Sequence, residues 1–306
     1  MVGIVSYGAY IPMFRMSREV IAQAWGGRVA AGERSVANHD EDSTTMAVAA
    51  GIDCLTGIDR TQVDGLYVAT TTPVYREKQT SSIVALALDL DREVLTADFG
   101  DSLRASTIAL RSAMEMVKSG SARRVLVTVA DSRLGAPQGE FEQSTGDGAA
   151  ALLIGDSDVA VEIEGQYTFT DEFTDLWRSD SDVFVRSWED RFILKHGYGD
   201  NIRGAVRGVL KKYNLTPKDF AKVVLYAPDP RNQLAAVREL GFDVKTQLDD
   251  NLFSTVGNTG AAYALMMLVG TLETAKPGDR ILLANCGDGG DAYILRVTEE
   301  IEKVRN

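Results

Sequence analysis

The run Arg-Val-Leu-Val-Thr-Val-Ala at 124–130 limits the possible folds more than any other stretch of this chain. A strand this apolar has no face to offer water, so it belongs inside a sheet that other layers cover on both sides. Short β-branched segments at 3–7, 65–69, 96–99, 149–154, 159–164, 222–226, 280–285 and 292–297 surround it in the sequence. They alternate with segments of helical character at 17–25, 44–55, 81–87, 106–119, 202–213, 233–240 and 261–274. Capping signals mark the helix starts, as where Ser17 precedes Glu19. The alternation predicts an α/β fold with mixed sheets.

The chain also carries a faint internal echo. A helix, the 124–130 strand, the turn Gly146-Asp147-Gly148 and two strands close the first half. A helix, the 280–285 strand, the turn Gly287-Asp288-Gly289-Gly290 and a strand close the second. This order predicts a duplicated unit with a boundary near residue 165, giving halves 1–165 and 166–306. No low-complexity linker separates them, so the halves are expected to share one core. The polar, aromatic stretch 168–198 stands apart from the echo.

Composition narrows the function classes. The 306 residues carry 44 acids against 32 lysines and arginines, a net charge of −12. That balance repels phosphate backbones and anionic membrane surfaces, so neither nucleic acid nor membrane is an expected partner. No apolar run approaches the about 18–20 residues that cross a bilayer, and the start lacks the pattern of a secretory leader. Two cysteines, Cys54 and Cys286, make no disulfide framework and no zinc set. A cytoplasmic protein without a metal is expected.

Several segments together resemble the thiolase superfamily, in its hydroxymethylglutaryl-CoA synthase and ketoacyl synthase III-like branch. They are GIVSYGAYIPMFRM (3–16), ERSVANHDEDSTTMAVAAG (33–51), GAPQGEFEQSTGDGAAALLIG (135–155), GNTGAA (257–262) and AKPGDRILLANCGDGGDAYI (275–294). Asp175-Leu176-Trp177-Arg178 and Arg191-Phe192 resemble the synthase branch's own insertion, at about 168–198. The resemblance runs in order over nearly the whole chain. It implies a five-layered αβαβα sandwich of two similar halves, which agrees with the echo.

It also implies where the family's chemistry would sit. The family's nucleophilic cysteine lies at a helix start, within a stretch like Ala-Cys-Lys-Ala-Gly-Thr; here that place reads Ser102-Leu103-Arg104-Ala105-Ser106-Thr107, with Leu103 at the cysteine. Leucine cannot form an acyl-enzyme, whereas a thiolate there would gain from the helix N-terminus. The family histidine follows a buried strand; in Val223-Val224-Leu225-Tyr226-Ala227-Pro228-Asp229 it becomes Tyr226, a poor base at neutral pH. The synthase's glutamate matches Thr71, within Thr71-Thr72-Pro73-Val74-Tyr75. Of the site, only Asn258 of the Gly-Asn-Thr segment is kept.

Other residues were weighed for chemistry. Ser102 has no histidine beside it by motif, and reads as a turn or helix-capping residue. Cys286 lies in a stretch resembling the C-terminal cysteine loop of degradative thiolases, where a cysteine acts as acid or base; the plainer reading is a small buried residue closing a core strand. Cys54 reads as helix packing, His39 as a surface residue and His196 as unbound to metal. Arg104, Arg123 and Arg124 are candidates for a patch that meets coenzyme A phosphates, or simply a solvated helix end. The glycines of Gly146-Asp147-Gly148 read as positions where two segments approach closely.

The resemblance extends to cysteine-less synthase-like subunits of acyltransferase complexes. A non-catalytic subunit is therefore expected, homodimeric and assembled with an active thiolase-like partner and a small zinc-ribbon/OB-fold protein. Helix 107–119 and strand 96–99 occupy the superfamily's dimer interface. No covalent cofactor is expected, and a coenzyme A thioester is the candidate ligand. Two alternatives stand beside it: altered thioester chemistry by Cys286, Tyr226 and Asn258, or a stand-alone acyl-CoA binding protein.

Overall fold

The computed structural model describes residues 1–27 and 31–304. Its main sheet holds strands β1 (Gly3–Tyr10), β2 (Gly65–Ala69), β3 (Leu95–Phe99), β4 (Arg124–Asp131), β5 (Gly148–Gly155), β6 (Val161–Thr170), β7 (Lys222–Leu225), β8 (Arg280–Cys286) and β9 (Gly289–Val297). The main helices are α1 (Arg18–Trp25), α2 (Ser43–Cys54), α3 (Thr80–Ala87), α4 (Ala105–Lys118), α5 (Asp200–Tyr213), α6 (Pro230–Glu239) and α7 (Tyr263–Leu272). Ser17 caps α1 by accepting from the Glu19 N–H.

Every residue of β4 is buried. Val125, Val127 and Val129 join a core shared with α4, while Leu126 and Ala130 join a second core shared with α2 and α3. Alternate side chains of one strand thus feed two apolar layers, which is why its sequence shows no polar face.

Helix α7 reads Tyr-Ala-Leu-Met-Met-Leu-Val-Gly-Thr-Leu, and nine of its ten residues are buried. A helix apolar around its circumference needs cover on all sides. It packs against β1 and β5 of the first half and against β7 and β8 of the second. Helix α4 is its companion in this middle layer: it lies on β2, β4 and β5, and the Tyr293 hydroxyl of β9 donates to Thr107 O at its start. On the other face of β9, Gly290 meets Ala205 of α5. The layers therefore run α2 and α3, first-half strands, α4 and α7, second-half strands, α5. This is the αβαβα order of a thiolase-like sandwich.

Strand order supplies the echo's physical form. The sheet runs β7-β8-β9-β6-β1-β5-β4-β2-β3. Read outward from the centre, the first half is β1-β5-β4-β2-β3 and the second is β6-β9-β8-β7, the same path lacking one edge strand. In that place the Val223 N–H donates to Gln247 O at 2.8 Å. Residue 165 falls inside β6, which continues to Thr170 in antiparallel pairing with β9, so the strand outruns the expected 159–164. The local pattern ends at 164 because the residues beyond it are mostly part-buried or exposed and pair with a strand over 100 residues away in sequence. Among the described residues, no helix is long and apolar enough to cross a membrane.

Among the described residues, β1 and β6 join the two halves of the sheet through two paired positions, Gly3 with Glu162 and Ile4 with Val161. A Cβ on Gly3 would lie 2.0 Å from the Val161 carbonyl oxygen and 2.9 Å from the Glu162 Cα. Both obstacles are backbone and cannot swing aside. Gly3→Ala should therefore cost about 1–3 kcal/mol of unfolding free energy, read from urea denaturation; an unchanged midpoint would show that the junction is loose.

Candidate functional site

Two pairs of strands, each pair parallel within its own half, deliver the candidate residues to one place. Strand β2 leads into Thr70, Thr71 and Thr72, β4 ends at Asp131, β7 leads into Tyr226, and β8 ends at Cys286. Ligands of α/β sheets sit outside the carboxyl ends of such strands.

Leu103 lies there, two residues before α4. The Ser102 hydroxyl donates to Gly287 O (3.1 Å) and accepts from the Arg104 N–H (3.4 Å), while the Asn285 amide donates to Leu103 O (3.2 Å). Gly287, at φ +156°, comes so close that a Cβ there would stand 3.1 Å from the Leu103 nitrogen. Held this way, Leu103 forms part of the wall of two adjoining cavities. The inner one, about 140 Å³, is lined by Leu103, Leu194, Tyr198, Tyr226, Asp175 and Cys286 among others. The outer one, about 350 Å³, is lined by Thr71, Leu103, Arg133, Asp175, Trp177 and Arg178 among others. A π-helical turn, Ile193–Gly199, supplies Leu194 and Tyr198; such turns often shape functional sites.

Each position read from the sequence lies in or beside this space. Thr71 lines the outer cavity, but its hydroxyl donates to Asp131 Oδ2 (2.9 Å) and its N–H to Oδ1 (2.6 Å). Tyr226 is buried edge-on against Tyr263, with ring centroids 6.1 Å apart, and burial pushes its phenol further up from an ordinary tyrosine value. Asn258 sits behind it: its amide reaches the Tyr226 hydroxyl and Ala227 O, both at 3.4 Å, and its Oδ1 accepts from the Gly260 N–H (3.0 Å). The Cys286 thiol lies well above its ordinary value, first through burial and then through Asp175 and Asp291. It is thus held as thiol at neutral pH, the wrong state for a nucleophile. The leucine has no nucleophilic atom, the threonine hydroxyl is committed to Asp131, and the phenol is held protonated.

The three arginines named for a phosphate patch have other work. Arg104 is buried, donates to Phe169 O (2.9 Å) and pairs with Asp291 (3.5 Å). Arg124 is buried against Asp158 (3.1 Å), and Arg123 pairs with Asp64 (2.9 Å). Sequence spacing placed these charges correctly but could not show that carboxylates already hold them. His39 is exposed near Asp40, and His196 bonds Asp200 (3.1 Å). Among the described residues, no group of three or more His, Cys, Asp or Glu could hold a metal ion.

The sequence reading passed over Asp131, Arg133 and Asp175 as site residues. Their one signal is position: Asp131 ends the fully buried β4 and Arg133 follows two residues on, where charge is least expected. Nearby, the turn Gly146-Asp147-Gly148 runs against 256–258, and a Cβ on Gly146 would lie 1.9 Å from Val256 O. Asp147 accepts from the Ala37 N–H (2.8 Å), and burial raises its carboxyl against the pull of that bond and of Arg34. Because the native state resists ionising Asp147, this group favours folding below the ordinary value of 3.8, and that support fades as pH rises through the raised native value. Asp147→Asn removes the ionisation and keeps an oxygen for Ala37. Its stability relative to wild type should grow from about pH 3 to about pH 7 in urea midpoints; a constant difference would count against the assignment.

Comparison with known proteins agrees with this architecture. No family model matches the chain. A hydroxymethylglutaryl-CoA synthase of Methanopyrus kandleri is 34% identical over 315 residues, spanning 99% of this chain and 90% of its own. A crystal structure of hydroxymethylglutaryl-CoA synthase complexed with CoA superposes with a TM-score of 0.91 at 19% identity, covering 100% of this chain and 84% of that one. The 3-oxoacyl-(acyl carrier protein) synthase III of Pseudomonas aeruginosa superposes with a TM-score of 0.88 at 21% identity, covering 97% and 98%.

Proposed function

We propose, from the premise that this chain belongs to the hydroxymethylglutaryl-CoA synthase family of the thiolase superfamily, that it is a synthase-like subunit without its own nucleophile. The observation that carries this reading is Leu103. It occupies the start of α4 where the cavities adjoin, and no cysteine side chain takes its place: Cys54 is fully buried in the other core, and Cys286 stays a thiol. The ligand is a coenzyme A thioester, in keeping with the family and with the CoA held by the superposed synthase.

In this reading the chain scaffolds an active thiolase-like partner in an acyltransferase or condensing complex that includes a small zinc-ribbon/OB-fold protein. It pairs with a second copy through β3, the sheet's edge strand, whose Leu95 is 51% exposed and whose outer backbone groups have no partner strand. The division into halves meeting near residue 165, with a synthase-type insertion at about 168–198, belongs to the same proposal, as does a cytoplasmic location.

Incubated with acetyl-CoA, the isolated chain should show no acyl adduct by intact mass, and affinity purification from its native cell should bring down a cysteine-intact thiolase. Stoichiometric acylation of any residue would sink the proposal. A second reading draws on Cys286 and Tyr226 lining one cavity, with Asn258 bonded to the tyrosine. It requires thioester turnover by the isolated chain that Cys286→Ala abolishes, measured by release of free CoA; the raised thiol argues for no turnover.

A further inference from the structure

Five arginines are buried among the described residues: Arg18, Arg34, Arg104, Arg124 and Arg133. Four have partners. Arg18 donates to Gln143 O, Ala31 O and Phe253 O, Arg34 to Glu142 O, and Arg104 and Arg124 to carboxylates and carbonyls already described. Arg133 is 5% exposed, yet no hydrogen bond or ion pair joins it to any described residue. Its stem is pinned: Gly260, at φ +62°, leaves room for it, since a Cβ there would lie 2.6 Å from Arg133 Cδ. Its charged end faces the outer cavity.

Asp175 acts on Arg133 only through space, and a buried cation that no carboxylate contacts is costly, so proteins retain one where an anion visits. We infer that Arg133 is an anion-binding residue, which holds the carboxylate of a small organic acid, free or at the end of an acyl thioester, in the outer cavity. Charge balance selects the class. Asp101, Asp175 and Asp288 also line this space, none within ion-pair distance of Arg133. With Arg178 counted, two arginines face three aspartates and the lining is already one charge negative, so a monoanion adds less repulsion than a phosphate dianion would. The planar guanidinium suits bidentate carboxylate binding. Leu103, Leu176, Trp177 and Val185 give the same lining an apolar part, Trp177 being backed by Trp188 at 5.6 Å between centroids, and about 350 Å³ holds a body of several carbons. This deepens the thioester reading when the acid is an acyl group, and stands apart from it when the acid is free.

The test is calorimetric titration of the whole chain with butyrate, benzoate, their neutral amides, glutaryl-CoA, CoA and inorganic phosphate. The acids should bind about ten- to a hundredfold more tightly than the amides. Arg133→Met should lose that preference and, relieved of an unpaired buried charge, should melt at a higher temperature without ligand. Arg133→Lys should keep a weakened preference. Equal binding of acids and amides, no acid binding, preference for phosphate, or a lower melting temperature for Arg133→Met each overturns the assignment. Acid binding without any CoA binding leaves the anion site standing and removes the thioester ligand. CoA binding with no acid preference does the reverse.

Discussion

The structure around the site depends on one buried carboxylate. Asp131, fully buried at the end of β4, accepts from the Thr70, Thr71 and Thr72 hydroxyls and from the Thr71 and Ala261 N–H groups. Donors converge on it from β2's exit and from the segment that starts α7, a set that meets the cost of burying a charge. Ala261 in turn accepts from the Ser106 hydroxyl through its carbonyl (2.7 Å), which keys the start of α4 to the same point. Three elements from both halves are thereby referenced to one side chain. Leu103's place follows from that registration, and so does the engagement of Thr71, whose hydroxyl and N–H are already committed.

The electrostatics of the cavities fit a site that does not ionise a thiol. A cysteine nucleophile needs an electropositive setting. Here Asp175 and Glu140 line the inner cavity with their own carboxyls raised, chiefly by burial, and Asp175 is among the groups that push the Cys286 thiol up. The outer cavity carries arginines as well, Arg133 and Arg178, alongside Asp101, Asp175 and Asp288. The Arg178 guanidinium is partly committed, donating to the Thr71 carbonyl. The division is between an inner space hostile to anions and an outer one that carries a free cation.

Much of this was legible in the sequence, and the limits have physical causes. Strand 65–69 was read to the residue and β4 to within one, because both are buried on two faces and announce themselves by apolarity alone. Thr71, Leu103, Tyr226 and Asn258 were placed by flanking motifs, and the fold does bring them together. Strand β6 was cut short at 164 because its later residues are only partly buried and are held by pairing with β9, a distant partner invisible to local pattern. The arginines show the same limit from the other side. Arg104 and Arg133 look alike in sequence, each a charge at the edge of an apolar element. Only three-dimensional neighbours separate the one that pairs with Asp291 from the one that no carboxylate contacts directly.

Helix α7 has a consequence for how the chain is made. It lies near the end of the sequence, yet it covers β1 and β5, strands complete by residue 155. In a nascent first half α4 covers only part of that sheet face, and the part over β1 and β5 that α7 covers must wait for more than a hundred further residues. Apolar surface exposed for that interval is what chaperones bind and what drives aggregation, so efficient production of this protein should depend on chaperone capacity during synthesis more than its final stability would suggest.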